Sequence, residues 1–480
     1  MLATQNLIGG RWVTPSAGSR VARNPSQKDE EIGVVHLSDA GDVAAAGQAA
    51  REALPKWAGT NPSARGEILY QAAQLMQKQI DDIARIASRE MGKPISEMKG
   101  EVLRAVNLLK YYAAEGVRAI GQVIPASQNR VLQYTRRVPL GVVGVITPWN
   151  FPVAIPIWKI APALICGNTV VWKPADIASL TAAAVARVLT EAGLPPGVLN
   201  LVIGEGRVIG DALLEKVELD GVSFTGSTST GLAIAAKCAA RNIKYQTEMG
   251  GKNAAVVLND ADLSVAVPAI ISGAYRSAGQ KCTATSRIIV EKGILDAFVA
   301  AMRAEMEKLY IGHALDEKSY SGPVASAQQQ EKVAAYVGLA EKEAEVVAKS
   351  PLQTDPASGY YVPPTLVTGV DVQHALVREE IFGPVATILP VGDFDEAMEV
   401  CNKTVFGLSA SVFTRDIAKG LRFLEEAEAG LVRVNLETAG VEYQAPFGGM
   451  KMSSSHSREQ GQAALDFYSQ VKTCAVYYGY

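Results

Sequence analysis

The chain has 480 residues, 48% of them hydrophobic and 20% charged, with a formal net charge of -3. That length calls for two or more domains of ordinary globular composition. The near-neutral charge, with no Lys/Arg-dense tract, excludes nucleic acid as a partner. Five scattered cysteines argue against a disulfide framework and for a reducing compartment, and four distant histidines leave no metal-ligand spacing. No basic-then-apolar leader opens the sequence, and Lys159 and Pro162 interrupt the longest apolar run. The expectation is a cytoplasmic protein with neither metal nor membrane partner.

In chain order, a short strand pair is expected at Asn6 to Val13 and Val21 to Asn24, followed by three amphipathic helices over residues 41 to 118. Gln122 to Thr135 alternates and is polar, as an exposed hairpin would be. From Gly141 the pattern becomes strand, helix, strand, helix: Val142 to Thr147, Ile155 to Ile165, Thr169 to Trp172, Leu180 to Glu191, Leu199 to Ile203 and Val222 to Phe224. Continuous β-branched runs between helices predict a parallel sheet buried on both faces. A second series over 254 to 290 and 385 to 435 predicts a second α/β unit. The final residues, Val471 to Tyr480, read as an edge strand that pairs elsewhere in the molecule or with a partner subunit.

Four features sit where such sheets deliver ligands, at the carboxyl ends of strands, and a fifth, Cys282, stands on a turn leading into a strand. Cys282 follows an apolar helix (Ala266 to Tyr275) and a Gly-bearing turn, beside Lys281. That setting suits a thiol of lowered pKa acting as nucleophile, although free cysteines are more often small buried hydrophobes. Thr147-Pro148-Trp149-Asn150-Phe151-Pro152 holds Asn150 between prolines, fit to offer its amide to an oxyanion or simply to form a turn. Lys173 and Asp176, just past a strand, suit a nucleotide ribose or a solvated loop. Phe224-Thr225-Gly226-Ser227 opens a helix whose N-terminus suits a pyrophosphate. Gly204 to Gly210, containing Gly206, is expected as a loop bordering the nucleotide. Glu248-Met249-Gly250-Gly251 places a carboxylate before two glycines, as a general base able to swing or as an inter-domain hinge.

Taken together, these motifs resemble the NAD(P)-dependent aldehyde dehydrogenase superfamily. The resemblance is carried by Pro148 to Pro152, Lys173-Pro174-Ala175, Phe224 to Ser227, Glu248 to Lys252, Gly279-Gln280-Lys281-Cys282, Glu380-Ile381-Phe382-Gly383-Pro384 and Pro446-Phe447-Gly448-Gly449. It implies an α/β fold with a Rossmann-type coenzyme domain (1-118 and 139-250), a second α/β catalytic domain (251-446) and a small β oligomerisation element (119-138 and 465-480). It also implies a homodimer or homotetramer.

The implied chemistry is thiohemiacetal and thioester formation on Cys282, with Asn150 holding the oxyanion, Glu248 activating water, and Lys159 and Glu459 relaying protons. The implied cofactor is NAD or NADP. Thr147, Pro148, Trp149, Lys173, Asp176, Gly206, Gly210, Phe224, Gly226, Ser227, Gly250, Glu380 and Phe382 are the residues implied to hold it. Asp176 leans the choice toward NAD, because a carboxylate repels a 2′-phosphate. Asn435 to Pro446, with Ser453 to Gly461, resembles bacterial 2-oxoglutarate semialdehyde (2,5-dioxopentanoate) dehydrogenases. Arg276 matches an arginine that grips a distal carboxylate. Trp158, standing where succinate semialdehyde enzymes commonly add a second arginine, and Thr283 complete the implied substrate wall. Succinate or glutarate semialdehyde, a broad aldehyde range, and a non-catalytic nucleotide-binding protein remain open alternatives.

Overall fold

The computed structural model describes residues 2–118 and 121–479. Positions 1, 119, 120 and 480, which the expected domain and oligomerisation boundaries include, lie outside the described residues. The N-terminal third is helical: α1 (Ala40–Gly59), α2 (Pro62–Lys78), α3 (Ile80–Met91) and α4 (Ile95–Glu115). Local chemistry sets most of their ends. Asp39 caps α1 through a reciprocal capping box, Pro62 opens α2 behind the Asn61 cap, and Gly92 closes α3 at φ 82°. Four helices therefore stand where the periodicity predicts three. α2 and α3 are separated by one residue, Gln79, which has neither the glycine nor the proline that signals a break.

Ahead of them, Asn6–Ile8 pairs with Arg11–Val13, and Ser19–Asn24 pairs with Gln27–His36. The last of these strands escapes the sequence reading because its first half, Lys28 to Glu31, is charged. One seven-stranded sheet runs in the order Lys244–Glu248, Gly221–Thr225, Val142–Ile146, Thr169–Lys173, Leu199–Leu201, Asn6–Ile8, Arg11–Val13. Its strands from Lys244–Glu248 to Leu199–Leu201 are parallel. Between them run α5 (Ala154–Ile165), α6 (Ser179–Glu191), α7 (Gly206–Lys216) and α8 (Thr228–Ala240). Gly206 and Gly210 thus belong to a helix rather than to the expected loop. Ile209, Ala212, Leu213 and Leu214 bury one face of α7, and that apolar face outweighs the helix penalty of two glycines.

A second seven-stranded sheet runs Glu345–Lys349, Thr365–Thr368, Val385–Val391, Thr285–Glu291, Asn253–Val257, Ser409–Phe413, Leu431–Val434. All of its strands but the first are parallel, and α9 (Leu263–Tyr275) packs on it. The C-terminal strand, Ser469–Tyr477, pairs antiparallel with Val131–Pro139, which also pairs with Val123–Ile124. The intramolecular alternative for that strand is therefore realised, and among the described residues the strand stands at the edge of its three-stranded sheet. Among the described residues no helix is long and apolar enough to cross a membrane.

A buried ion pair locks the helical third to the first sheet. Lys93 Nζ lies 2.7 Å from Glu101 Oε2, with both side chains almost fully buried. Lys93 also donates to the Asn150 carbonyl at 2.6 Å, and Glu101 Oε1 accepts from the Val153 and Ala154 N–H groups at the start of α5. Removing one partner of such a pair strands the other charge in the core. Glu101→Ala is expected to cost about 3–5 kcal/mol in stability, read as a lower denaturation midpoint. A loss below about 1 kcal/mol would show that the pair is no stronger than a surface ion pair.

Candidate active site

Cys282 lies on the turn between α9 and the strand Thr285–Glu291. The turn is unusual in its backbone: Ser277, Ala278 and Gly279 are consecutively left-handed, at φ 54°, 52° and 66°. Only the last is a glycine, and a Cβ there would collide with the Gly383 carbonyl. The two non-glycine residues are held in this strained region by their neighbours. Glu97 accepts from the Ser277 N–H at 3.0 Å and from its hydroxyl at 2.7 Å, and the Ala278 N–H donates to Ser321 Oγ. Beyond the kink, Asn150 Nδ2 donates to the Gln280 carbonyl at 2.9 Å and Asn253 Nδ2 to the Cys282 carbonyl at 2.8 Å.

Two cavities meet at Cys282, which lines both. The larger, of about 370 Å³, is walled by Phe151, Trp158, Phe447 and Thr283 and carries Arg104, Arg276, Lys281, Glu97 and Glu437. Trp158 and Phe447 stack with ring centroids 5.4 Å apart, and the exposed Arg276 lies over the Tyr320 ring at 5.0 Å. The smaller, of about 200 Å³, is lined by Pro148, Trp149, Asn150, Gly226, Ser227, Gly250, Glu380 and Phe382, among others. Trp149 meets Phe382 edge-on at 5.5 Å.

The second cavity fits a dinucleotide on structural grounds. Ser227 caps α8, so the positive end of that helix opens on the cleft. A Cβ at Gly250 would run into the Glu380 carboxylate, and one at Gly251 would strike the Cys282 carbonyl. The two glycines therefore serve close approach between the sheets, a more specific role than a swing or a hinge. Glu380 Oε1 accepts from the Gly251 N–H at 2.9 Å. At the neighbouring strand end, Lys173 Nζ stands 3.2 Å from Asp176 and 3.3 Å from where a Cβ on Gly206 would lie. Arg20 donates to the Asp176 carbonyl.

Lys173, Asp176, Gly206, Gly210, Thr147 and Phe224 do not line the smaller cavity itself. Thr147 is buried with its hydroxyl accepting from Trp172 Nε1, and Phe224 packs beneath Gly226 and Gly231.

The electrostatics differ from the sequence expectation in one respect. The Cys282 thiol is not depressed: burial pushes it up to about 12, with the Glu380 and Glu248 carboxyls adding to the shift. Lys281, beside it in sequence, sends its amine to the Ser272 carbonyl at 3.4 Å. Glu248 is buried and lines neither cavity. Its Oε2 accepts from Ser454 Oγ at 2.6 Å, and its Oε1 has no hydrogen-bond partner among the described residues. Burial, then the neighbouring Glu459, raises the Glu248 carboxyl well above the usual range. Lys159 and Glu459 form a buried ion pair, joined by Ser223 Oγ 3.0 Å from Lys159 and by Trp158 Nε1 2.6 Å from Glu459 Oε2.

Several lining residues carry no motif and escape the sequence reading: Arg104, Glu97, Gln329 and Lys332. They come from other elements and reach the cavities only through packing. Gln329 Nε2 donates to the Phe382 carbonyl at 2.6 Å, and Lys332 Nζ to the Glu380 carbonyl at 3.0 Å. Both thus support the two residues that the Glu380-Ile381-Phe382 motif places in the cleft.

A nucleotide cleft and an aldehyde-sized cavity joined at one cysteine define a class, and comparison with known proteins agrees. The model of the aldehyde dehydrogenase family matches residues 12–474. The alpha-ketoglutaric semialdehyde dehydrogenase of Bacillus subtilis is 48% identical over 475 residues, covering 98% of this chain and 97% of the relative. The alpha-ketoglutarate semialdehyde dehydrogenase of Haloferax volcanii is 40% identical, covering 98% of each. Among solved structures, the betaine aldehyde dehydrogenase of Staphylococcus aureus in complex with NAD+ superposes with a TM-score of 0.94. It is 32% identical and covers 98% of this chain and 94% of that one. The chain belongs to the aldehyde dehydrogenase family, NAD(P)-dependent oxidoreductases acting on aldehydes.

A thiol held this high reacts through a small thiolate fraction. In the cofactor-free protein, iodoacetamide modification of Cys282, followed by peptide mass spectrometry, is expected to rise about tenfold per pH unit between pH 7 and 9. A flat profile would mean that the thiolate already exists at neutral pH.

Proposed function

We propose that the protein oxidises 2-oxoglutarate semialdehyde to 2-oxoglutarate with NAD+, using Cys282 as nucleophile. The observation that carries this reading is the position of Cys282 at the junction of the two cavities, with a guanidinium, Arg276, on the wall of the larger. The similarity to relatives named for the same substrate supports it. The Cys282 thiolate attacks the aldehyde carbon, and the oxyanion that forms is held by the Asn150 amide, of which one hydrogen is committed to the Gln280 carbonyl. A nicotinamide bound in the smaller cavity supplies the hydride acceptor. The thioester left on Cys282 is hydrolysed by water that Glu248 activates after turning away from Ser454.

Because burial holds the Glu248 carboxyl up, its basic form grows as pH rises, and hydrolysis speeds up with it. The buried Lys159–Glu459 pair, electrostatically coupled to Glu248, offers the proton an onward route. Trp158 and Thr283 shape the wall around the substrate. Asp176, whose carboxylate would repel a 2′-phosphate, favours NAD over NADP.

We also propose the domain division set out above, with the sheet of Val123–Ile124, Val131–Pro139 and Ser469–Tyr477 as the contact of a homodimer or of a tetramer of dimers. The edge position of Ser469–Tyr477 in its sheet and the exposed Val471 and Val476 support this, since an apolar edge strand invites pairing. Five free cysteines fit the reducing cytoplasm.

Cys282→Ala is expected to abolish NADH formation while NAD+ binding persists, and surviving turnover would rule out the thioester route. Arg276→Ala is expected to lower kcat/KM for 2-oxoglutarate semialdehyde about ten- to hundredfold more than for propanal. Equal losses with both aldehydes would remove Arg276 from carboxylate recognition.

A further inference from the structure

The larger cavity holds a second guanidinium that no motif marks. Arg104 is on α4, one turn beyond Glu101, and Glu101 is fixed by Lys93 and by the N–H groups that open α5. The base of the side chain is therefore set by the same lock that positions Asn150. Farther out, its Nη2 donates to Gln460 Oε1 at 3.1 Å, and its Cζ lies 5.9 Å from the centroid of the Trp158 ring. Its Nε is buried and has no acceptor among the described residues. Among the described residues no carboxylate lies within ion-pair distance of Arg104, although the side chain lines the cavity.

The distribution of charge makes that guanidinium conspicuous. The cavity carries the cations Arg104, Arg276 and Lys281 and the carboxylates Glu97 and Glu437. Lys281 interacts electrostatically with both carboxylates and with Arg276, so these four groups share one side of the cavity and nearly offset one another. The charged neighbours of Arg104 are different ones. Glu101 is already engaged by Lys93, Glu442 stands on the 435–446 loop, and Arg433 opposes it. The net positive charge of the cavity thus resides at Arg104. A half-buried guanidinium whose Nε–H is unused, with no carboxylate in ion-pair range among the described residues, is completed by an anion.

We propose that Arg104 is a specificity-determining residue that, together with Arg276, holds the carboxylate end of an ω-oxo acid. This rests on the reaction proposed above. A 2-oxo carboxylate presents three acceptor oxygens, more than one planar fork can satisfy. Gln460 acts as the positioning partner that keeps the Arg104 fork at the Trp158 ring.

The test compares Arg104→Met, which keeps an apolar stem beside Trp158, and Arg104→Lys with the parent enzyme. The ratio of kcat/KM for 2-oxoglutarate semialdehyde to that for pentanal is expected to fall about ten- to hundredfold in Arg104→Met and less in Arg104→Lys. A ratio within about threefold of the parent overturns the proposal. Binding of the product 2-oxoglutarate, measured by calorimetry in variants that still bind NAD+, provides a readout independent of turnover. Weakened binding supports the assignment, and unchanged affinity sinks it. Arg276→Ala, run in parallel, separates the two claims. If Arg276→Ala is selective for the acid and Arg104→Met is not, only this proposal fails. If neither is selective, the substrate reading fails with it.

Discussion

The buried Lys93–Glu101 pair is the constraint on which the site depends. It joins the α3–α4 junction to the Asn150 turn and to the first N–H groups of α5. Everything that α4 and α5 bring to the cavity follows from that joint: Asn150 before α5, Trp158 and Lys159 within it, and Arg104 along α4. Both ions are out of water, so desolvation must be repaid by close contacts, and the Asn150 carbonyl and two backbone N–H groups complete the set. A pair satisfied this fully gives geometric definition more than net stability, which is what a site assembled from separate elements requires.

The second constraint is the left-handed run Ser277-Ala278-Gly279. A β-carbon costs energy in that region, and two of the three residues carry one. Glu97 and Ser321 bind the backbone there and hold the conformation. The result is a sharp exit from α9 that brings Cys282 against Gly251, where only hydrogen fits beneath its carbonyl. Local strain is thus converted into a fixed thiol position at the meeting point of the two sheets.

The charge state of the site points the same way. Burial raises the Cys282 thiol and the carboxyls of Glu248 and Glu380 together, and the two carboxyls add to the cost of ionising the thiol. The cofactor-free thiol therefore rests in its neutral form. Glu248 is parked on Ser454, away from both cavities. A resting nucleophile kept neutral is protected from oxidation, because the thiolate is the reactive form.

Fold class and family were legible in the sequence because they rest on local signals. Continuous β-branched runs between amphipathic helices specify a parallel sheet, and each cleft-facing motif sits at a strand end where topology must deliver it. Helix count and hairpin partners were less legible: Gln79 breaks a helix with no breaker residue, and a charged strand, Gln27–His36, hides its apolar half. Cys282, Asn150 and Ser227 could be named in advance because backbone chemistry ties them to short stretches of chain, and Glu380 and Phe382 because their motif resembles the family's. Three things had to await tertiary structure. One is the direction of the Cys282 shift, which depends on burial and on carboxyls 34 and 98 residues away in sequence. Another is the resting contact of Glu248 with Ser454, from a distant loop. The last is Arg104, one arginine among many on an amphipathic helix, whose place in the cavity arises only when α4 is locked against α5. Sequence fixes what a residue is and how its neighbours along the chain turn; burial, counter-charge and shared cavities are properties of residues far apart, and only packing brings those together.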